Sequence, residues 1–184
     1  MWIRVAALAD VPSLQALISA SVRDLSIGFY SMAQVEAAIV AVFGVDTQLI
    51  ADGTYYLLDH PSGPVAVGGW SYRRTLYGGD QMKGAEDPKL DPVTEPARLR
   101  AFFVRPDFAR RGLATRLYGE CARAARMAGF RRLELMSTLP GEPLYAALGF
   151  TAVERIALPL AAGVDLPLIR MSRSIDDPPR GSTT

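Results

Sequence analysis

Phe102-Phe103-Val104-Arg105-Pro106-Asp107-Phe108-Ala109-Arg110-Arg111-Gly112-Leu113-Ala114-Thr115 reads as an apolar strand that runs through a basic turn into a helix. A helix start exposes unpaired backbone N–H groups and the positive end of the helix dipole, so an anion binds there without a dedicated side chain. Gly112 has no Cβ to hold a phosphate off the backbone, and Arg110 and Arg111 add fixed positive charge. The stretch fits a phosphorylated cofactor. The plainer reading of the same residues is a solvated basic helix start behind a core strand.

On the N-terminal side, residues 2–6 read as a short strand. Asp10 then caps a helix that carries Val11, Leu14, Leu17, Ile18 and Val22 at helical spacing. Ser31 and Gln34 form a capping-box pattern for a second helix that runs to about Phe43, before Gly44. Residues 54–58 and 65–72 flank the Pro61-Ser62-Gly63-Pro64 turn as a hairpin. Residues 74–96 are rich in Gly, Pro, Asp, Glu and Lys, and a connection of that length inside a compact domain is a candidate cover for a ligand cleft. After the strand at 98–104, Leu113, Leu117, Cys121 and Ala124 share one face of a helix ended by Gly129. A strand at 133–136, a short helix at 142–148 and two strands at 150–158 and 166–171 complete the order. The expected class is α/β of the α+β type, with a mixed, mostly antiparallel sheet of six to seven strands and about four helices.

A chain of 184 residues, 49% apolar, supplies one well-filled core, here assigned to residues 1–172, with 173–184 a polar tail rich in breakers. Basic and acidic residues nearly cancel, at a formal net charge of +1, so no broad nucleic-acid or membrane surface is expected. No stretch reaches the roughly 20 apolar residues that span a bilayer as a helix. Cys121 is the single cysteine, which excludes an intrachain disulfide and a cysteine-based zinc site, and no metal is expected. A reducing, cytoplasmic setting fits that usage. His60 stands alone in a turn, which argues against Ser-His-Asp or Cys-His chemistry.

The order of elements, together with Arg111-Gly112-Leu113-Ala114 and Leu144-Tyr145-Ala146-Ala147-Leu148-Gly149-Phe150 about thirty residues later, resembles the GNAT superfamily of acetyl-CoA-dependent N-acyltransferases. The family's signature turn, Gln/Arg-x-x-Gly-x-Gly/Ala, falls on Ala109 to Ala114, with Ala109 departing at the first position. The resemblance implies strands that splay apart beside Phe102, Phe103 and Val104, with the main chain of Phe102 and Val104 pairing with the pantetheine arm of acetyl-CoA. It further implies that the pyrophosphate rests on the turn formed by Arg110, Arg111, Gly112, Leu113, Ala114 and Thr115. Tyr145 then falls where many members carry a tyrosine that protonates the departing sulfur. On this reading an acetyl group moves by direct attack of a primary amine of a small molecule or peptide. The alternative is a noncatalytic acyl-CoA-binding or interaction module of the same fold. Tyr30, Trp70 and Tyr72 are the candidate acceptor contacts, the terminal strands are a candidate homodimer contact, and Glu134, Glu142, Asp46, Asp52 and Asp80 give no ranked base.

Overall fold

A computed structural model of the chain describes residues 1–84 and 86–176. Seven strands form one sheet: β1 (Trp2–Val5), β2 (Tyr55–His60), β3 (Gly63–Ser71), β4 (Ala97–Val104), β5 (Arg132–Thr138), β6 (Thr151–Pro159) and β7 (Asp165–Ser174). Their order is β1-β2-β3-β4-β5-β7-β6, and every neighbouring pair is antiparallel except β4 with β5. The expected mixed, mostly antiparallel sheet is therefore present.

Among the described residues, five α-helices cover it: α1 (Val11–Leu25), α2 (Met32–Ala41), α3 (Thr47–Ala51), α4 (Leu113–Met127) and α5 (Glu142–Ala147). On α1, Leu14, Leu17, Ile18 and Val22 are buried against Tyr55, Leu57 and Val67 of the sheet. Leu58, Ala66, Leu113 and Leu117 build a cluster on the face where α4 packs. Because neighbouring residues of a strand point to opposite faces, Leu57 and Leu58 feed the two layers in turn. Each large side chain so buried contributes about 1.5–3 kcal/mol, which outweighs the weak helix propensity of the β-branched residues in α1.

Ser31 caps α2 as the pattern requires, with its Oγ accepting from Gln34 N–H at 3.2 Å and Gln34 Oε1 accepting from Ser31 N–H at 2.9 Å. Asp10 stands at the N-cap of α1, but its side chain makes no capping bond there. Its carboxylate accepts two Arg4 N–H bonds at 2.8 Å and the Ala7 N–H at 2.8 Å, because a charged bidentate partner is stronger than a helix-end amide. The hydrogen bonds hold the Asp10 pKa below the usual carboxylate range, with Arg4 the larger cause. The domain also runs past residue 172: β7 continues to Ser174, and Ile175 is buried with its N–H on Arg131 O. Residues 177–184 of the expected tail lie outside the described residues.

Candidate active site

β4 is bent by one extra residue. Val67 stands opposite Phe103 and Gly69 opposite Arg100, so Gly68 faces both Ala101 and Phe102. Ala101 takes φ 53, the left-handed conformation typical of the extra residue in one kind of bulge. Gly68 is required there, because a Cβ would lie 2.9 Å from the Phe102 ring. Replacing Gly68 with Val should displace that ring and lower stability by about 1–3 kcal/mol, read by thermal denaturation. An unchanged melting temperature would show that Phe102 can move aside freely.

Beyond the bulge β4 leaves β5. The two strands pair only at Ala97 with Leu133 and Arg98 with Glu134. Arg105 N–H donates to Val65 O at 2.9 Å, so along this antiparallel pair Phe103 and Arg105 turn their main chain to β3, while Phe102 and Val104 turn theirs toward β5. Val104 N–H meets Ser21 Oγ of α1 at 3.3 Å. The result is a strand edge that no strand pairs beyond Arg98, with the Val104 N–H held by Ser21, along a V-shaped gap.

A cleft of about 220 Å³ occupies that gap. One side is lined by Phe102, Ala114, Leu144 and Tyr145, and the other by Val22, Leu25, Phe43, Leu76, Tyr77 and Met136. At the first side, Arg110 at φ 60 and Gly112 at φ 75 flank Arg111, and Gly112 is the N-cap of α4 with no side-chain cap. Among the described residues, no carbonyl or side chain accepts from the N–H groups of residues 110–115. Left-handed residues alternating with ordinary ones gather such donors into an anion-binding concavity. Leu113 is buried under this turn, while Arg110, Gly112 and Thr115 face solvent. One Arg111 N–H donates to the Asp107 carbonyl, at 2.9 Å, and its guanidinium lies over the Phe108 ring. The main-chain donors of the turn therefore stand beside the exposed guanidinium groups of Arg110 and Arg111.

Tyr145 lies in α5 with its ring edge-on to Phe102 and Phe150, at centroid distances of 6.4 and 5.8 Å. Its hydroxyl has no hydrogen-bond partner among the described residues, and burial pushes the phenol well above its usual pKa. Phe102, Phe103, Val104, Ala114 and Tyr145 thus meet at one cleft, with the 110–115 turn at the start of α4.

The structure does not bring Tyr30, Trp70 and Tyr72 to that cleft. Tyr30 is a buried stitch whose OH donates to Pro167 O at 2.6 Å and accepts from Leu139 N–H at 2.9 Å. Trp70 lies on the α4 side of β3 against Phe130 and Tyr72, and Arg73 and Lys89 stack on Tyr72. Strand parity does keep Trp70 and Tyr72 on one side, as alternation requires, but that side is the core beneath α4.

Two parts of the site carry no sequence signal. The first is a buried ion pair between Arg100 and Asp46, which are 2% and 0% exposed and 2.8 Å apart. Arg100 also donates to Thr75 O and Gly78 O, at 2.9 and 2.7 Å, and Lys83 joins Asp46. The second is the wall these bonds hold. Residues 76–79 line the cleft, fastened by Gly79 N–H on Val42 O and Asp80 N–H on Val45 O. The 74–96 connection therefore supplies a fixed side of the cleft through these residues. Of the unranked carboxylates, Asp52 pairs with Arg73, Glu134 with Arg98 and Arg170, Glu142 with Arg155, and Asp80 caps α3 at Thr47 N–H. Among the described residues, no group of three or more His, Cys, Asp or Glu side chains assembles as a metal site, and no helix is long and apolar enough to cross a membrane.

Solved structures share this architecture. A GCN5-related N-acetyltransferase from Rhodopseudomonas palustris superposes with a TM-score of 0.68 at 20% identity, over 94% of both chains. The PaiA N-acetyltransferase from Thermoplasma acidophilum, solved in complex with coenzyme A, gives 0.62 at 14% identity, over 94% of this chain and 98% of that one. YncA from Salmonella typhimurium, a putative acetyltransferase solved with acetyl-CoA, gives 0.61 at 15% identity, over 96% and 95%. At these identities the likeness is one of fold, and no curated protein matches the sequence. The sequence model of the acetyltransferase (GNAT) family matches residues 41–150, more than half of the chain and all of the cleft's splayed strands and both motifs. This chain belongs to the GNAT acetyltransferase family.

Proposed function

We propose that the protein moves an acetyl group from acetyl-CoA to a primary amine of a small molecule or peptide by direct attack. The observation that carries this reading is the open β4 edge running into the unpaired N–H groups at the start of α4. An extended amide-bearing arm is held by such an edge as a further strand would be, and a diphosphate by such a turn. Coenzyme A joins both features in one molecule, and two similarly folded proteins were solved with it or its acetyl form. Cys121 as the single thiol agrees with a reducing, cytoplasmic setting.

In this reading the main chain at the Ala101–Phe102 bulge faces the carbonyl oxygen on which negative charge develops, a contact whose loss removes about 3 kcal/mol of transition-state stabilisation. Tyr145 donates its hydroxyl to the departing sulfur. Because its pKa is raised, the phenol stays protonated through and beyond pH 10, and proton transfer to a thiolate of pKa ~8.5 depends on positioning rather than on driving force. Replacing Tyr145 with Phe should lower kcat by roughly 10²-fold while KM and melting temperature hold. The wild-type rate should show no alkaline fall from this group below about pH 10. Full activity in the Phe variant removes Tyr145 from the chemistry. Coenzyme A release measured against a panel of amines tests the whole reading, and tight binding of acetyl-CoA with no turnover on amines or peptides would select the noncatalytic module.

A further inference from the structure

Resting on the acetyl-transfer reading, we infer that the acceptor is a weakly basic amine with an apolar body, an aromatic amine being the type, which enters the cleft uncharged. The acceptor side is walled by Val22, Leu25, Phe43, Leu76, Tyr77 and Met136. Apolar surface continues at its mouth, where Leu25 is 37% exposed and Ile27 and Phe29 follow it into solvent. The charges at the wall close on one another: Arg100 of β4, which itself lines the cleft, pairs with Asp46 before α3, and Lys83 with Asp46 and Asp80. On α1, Asp24 lies on the exposed face, and at the start of α5 Glu142 is held by Arg155. An ammonium drawn into this cleft loses its water and meets no carboxylate among the described residues that line it, whereas a neutral amine loses little.

The proton count points the same way. As the nitrogen lone pair forms the new C–N bond, the C–S bond breaks and its electron pair stays on sulfur. The nitrogen releases one proton and the sulfur takes up one, so a neutral amine needs a relay and no net base. A protonated amine has a second proton to shed first. The carboxylates that would accept it, Asp46, Asp52, Asp80, Glu134 and Glu142, are already bound to cations or to an amide. An amine as basic as lysine, at pKa ~10.4, is neutral in only about one molecule in 2,500 at pH 7.

The test compares aniline with cyclohexylamine, rings of similar size and very different basicity, by equilibrium binding to the protein in the presence of coenzyme A and by acetylation rate. From pH 6.5 to 8.5 the aniline dissociation constant should stay flat. That of cyclohexylamine should fall about tenfold per pH unit, with kcat/KM mirroring each trend. Leu25→Glu, which sets a carboxylate in the wall, should shift the ratio of cyclohexylamine to aniline affinity at pH 6.5 at least fivefold toward cyclohexylamine. Cyclohexylamine binding as tightly at pH 6.5 as at 8.5 overturns the inference alone. Failure of acetyl-CoA itself to bind, read separately by calorimetry, removes the acetyl-transfer reading and this inference with it.

Discussion

Gly112→Asp should leave the protein folded and raise the acetyl-CoA dissociation constant at least 100-fold. Gly112 is the N-cap of α4, at φ 75, and a Cβ built there meets nothing within 4 Å. The folding penalty is then conformational, about 1–2 kcal/mol for a left-handed residue with a side chain. It is partly offset by about 0.3–1 kcal/mol from a carboxylate at the positive end of the helix. The same carboxylate stands among the free N–H groups of residues 110–115 and faces any incoming diphosphate. Two unit charges about 4 Å apart repel by about 4 kcal/mol at an effective dielectric near 20 and about 1 kcal/mol in bulk water. Since the turn is open to solvent but the diphosphate carries two charges, a 100-fold loss, about 2.8 kcal/mol, lies between these limits. Gly112→Asn has nearly the same shape without the charge and should bind within about tenfold of the wild type. Titration calorimetry and thermal denaturation of both variants separate charge from strain. Equal affinity for Gly112→Asp and wild type would move the pyrophosphate away from this turn.

Asp46→Ala is expected to destabilise the fold by about 3–5 kcal/mol, a fall in melting temperature of roughly 6–20 °C. Its carboxylate accepts from buried Arg100, from Lys83, and from the Gln48 and Leu49 N–H groups that open α3. Removing it strands a guanidinium that is 2% exposed and uncaps a helix at once. The double variant Asp46→Ala, Arg100→Ala should lose clearly less than the sum of the singles, because removing both partners strands neither member of the pair. The loss also reaches the cleft. Arg100 holds the carbonyls of Thr75 and Gly78, so loosening it frees the wall at residues 76–79. The acceptor KM should rise while acetyl-CoA affinity, which depends on the other side of the cleft, stays within about twofold. A single-variant loss below 1 kcal/mol would show that solvent reaches Arg100 and would dismiss the pair as a structural anchor.

The strands and longer helices were legible because period-2 and period-3.6 patterns are local properties of the chain. α3 carries no pattern of its own, since five residues make less than one and a half turns, and its cap, Asp46, stands in the sequence as one more unranked carboxylate. Nothing local in the 98–104 strand marks Arg100 as buried. Its burial depends on a partner 54 residues away and on carbonyls of a segment with no periodicity of its own. The aromatic candidates lie away from the cleft for a related reason. Parity puts Trp70 and Tyr72 on one side of β3, but nothing local says which side carries the cleft and which the core under α4.

By itself, the sequence determined the order of elements, the glycine at the start of α4 and the tyrosine of α5, because each follows from residues within a few positions of one another. Only the tertiary structure decided that β4 bends at Ala101 and parts from β5, that residues 76–79 form the opposing wall, and that Asp46 and Arg100 pin it. These depend on strand register and on contacts between distant segments, which no short-range pattern encodes. The basic turn from Phe102 to Thr115 therefore marks the donor side locally, whereas the acceptor side exists only once the chain has closed on itself.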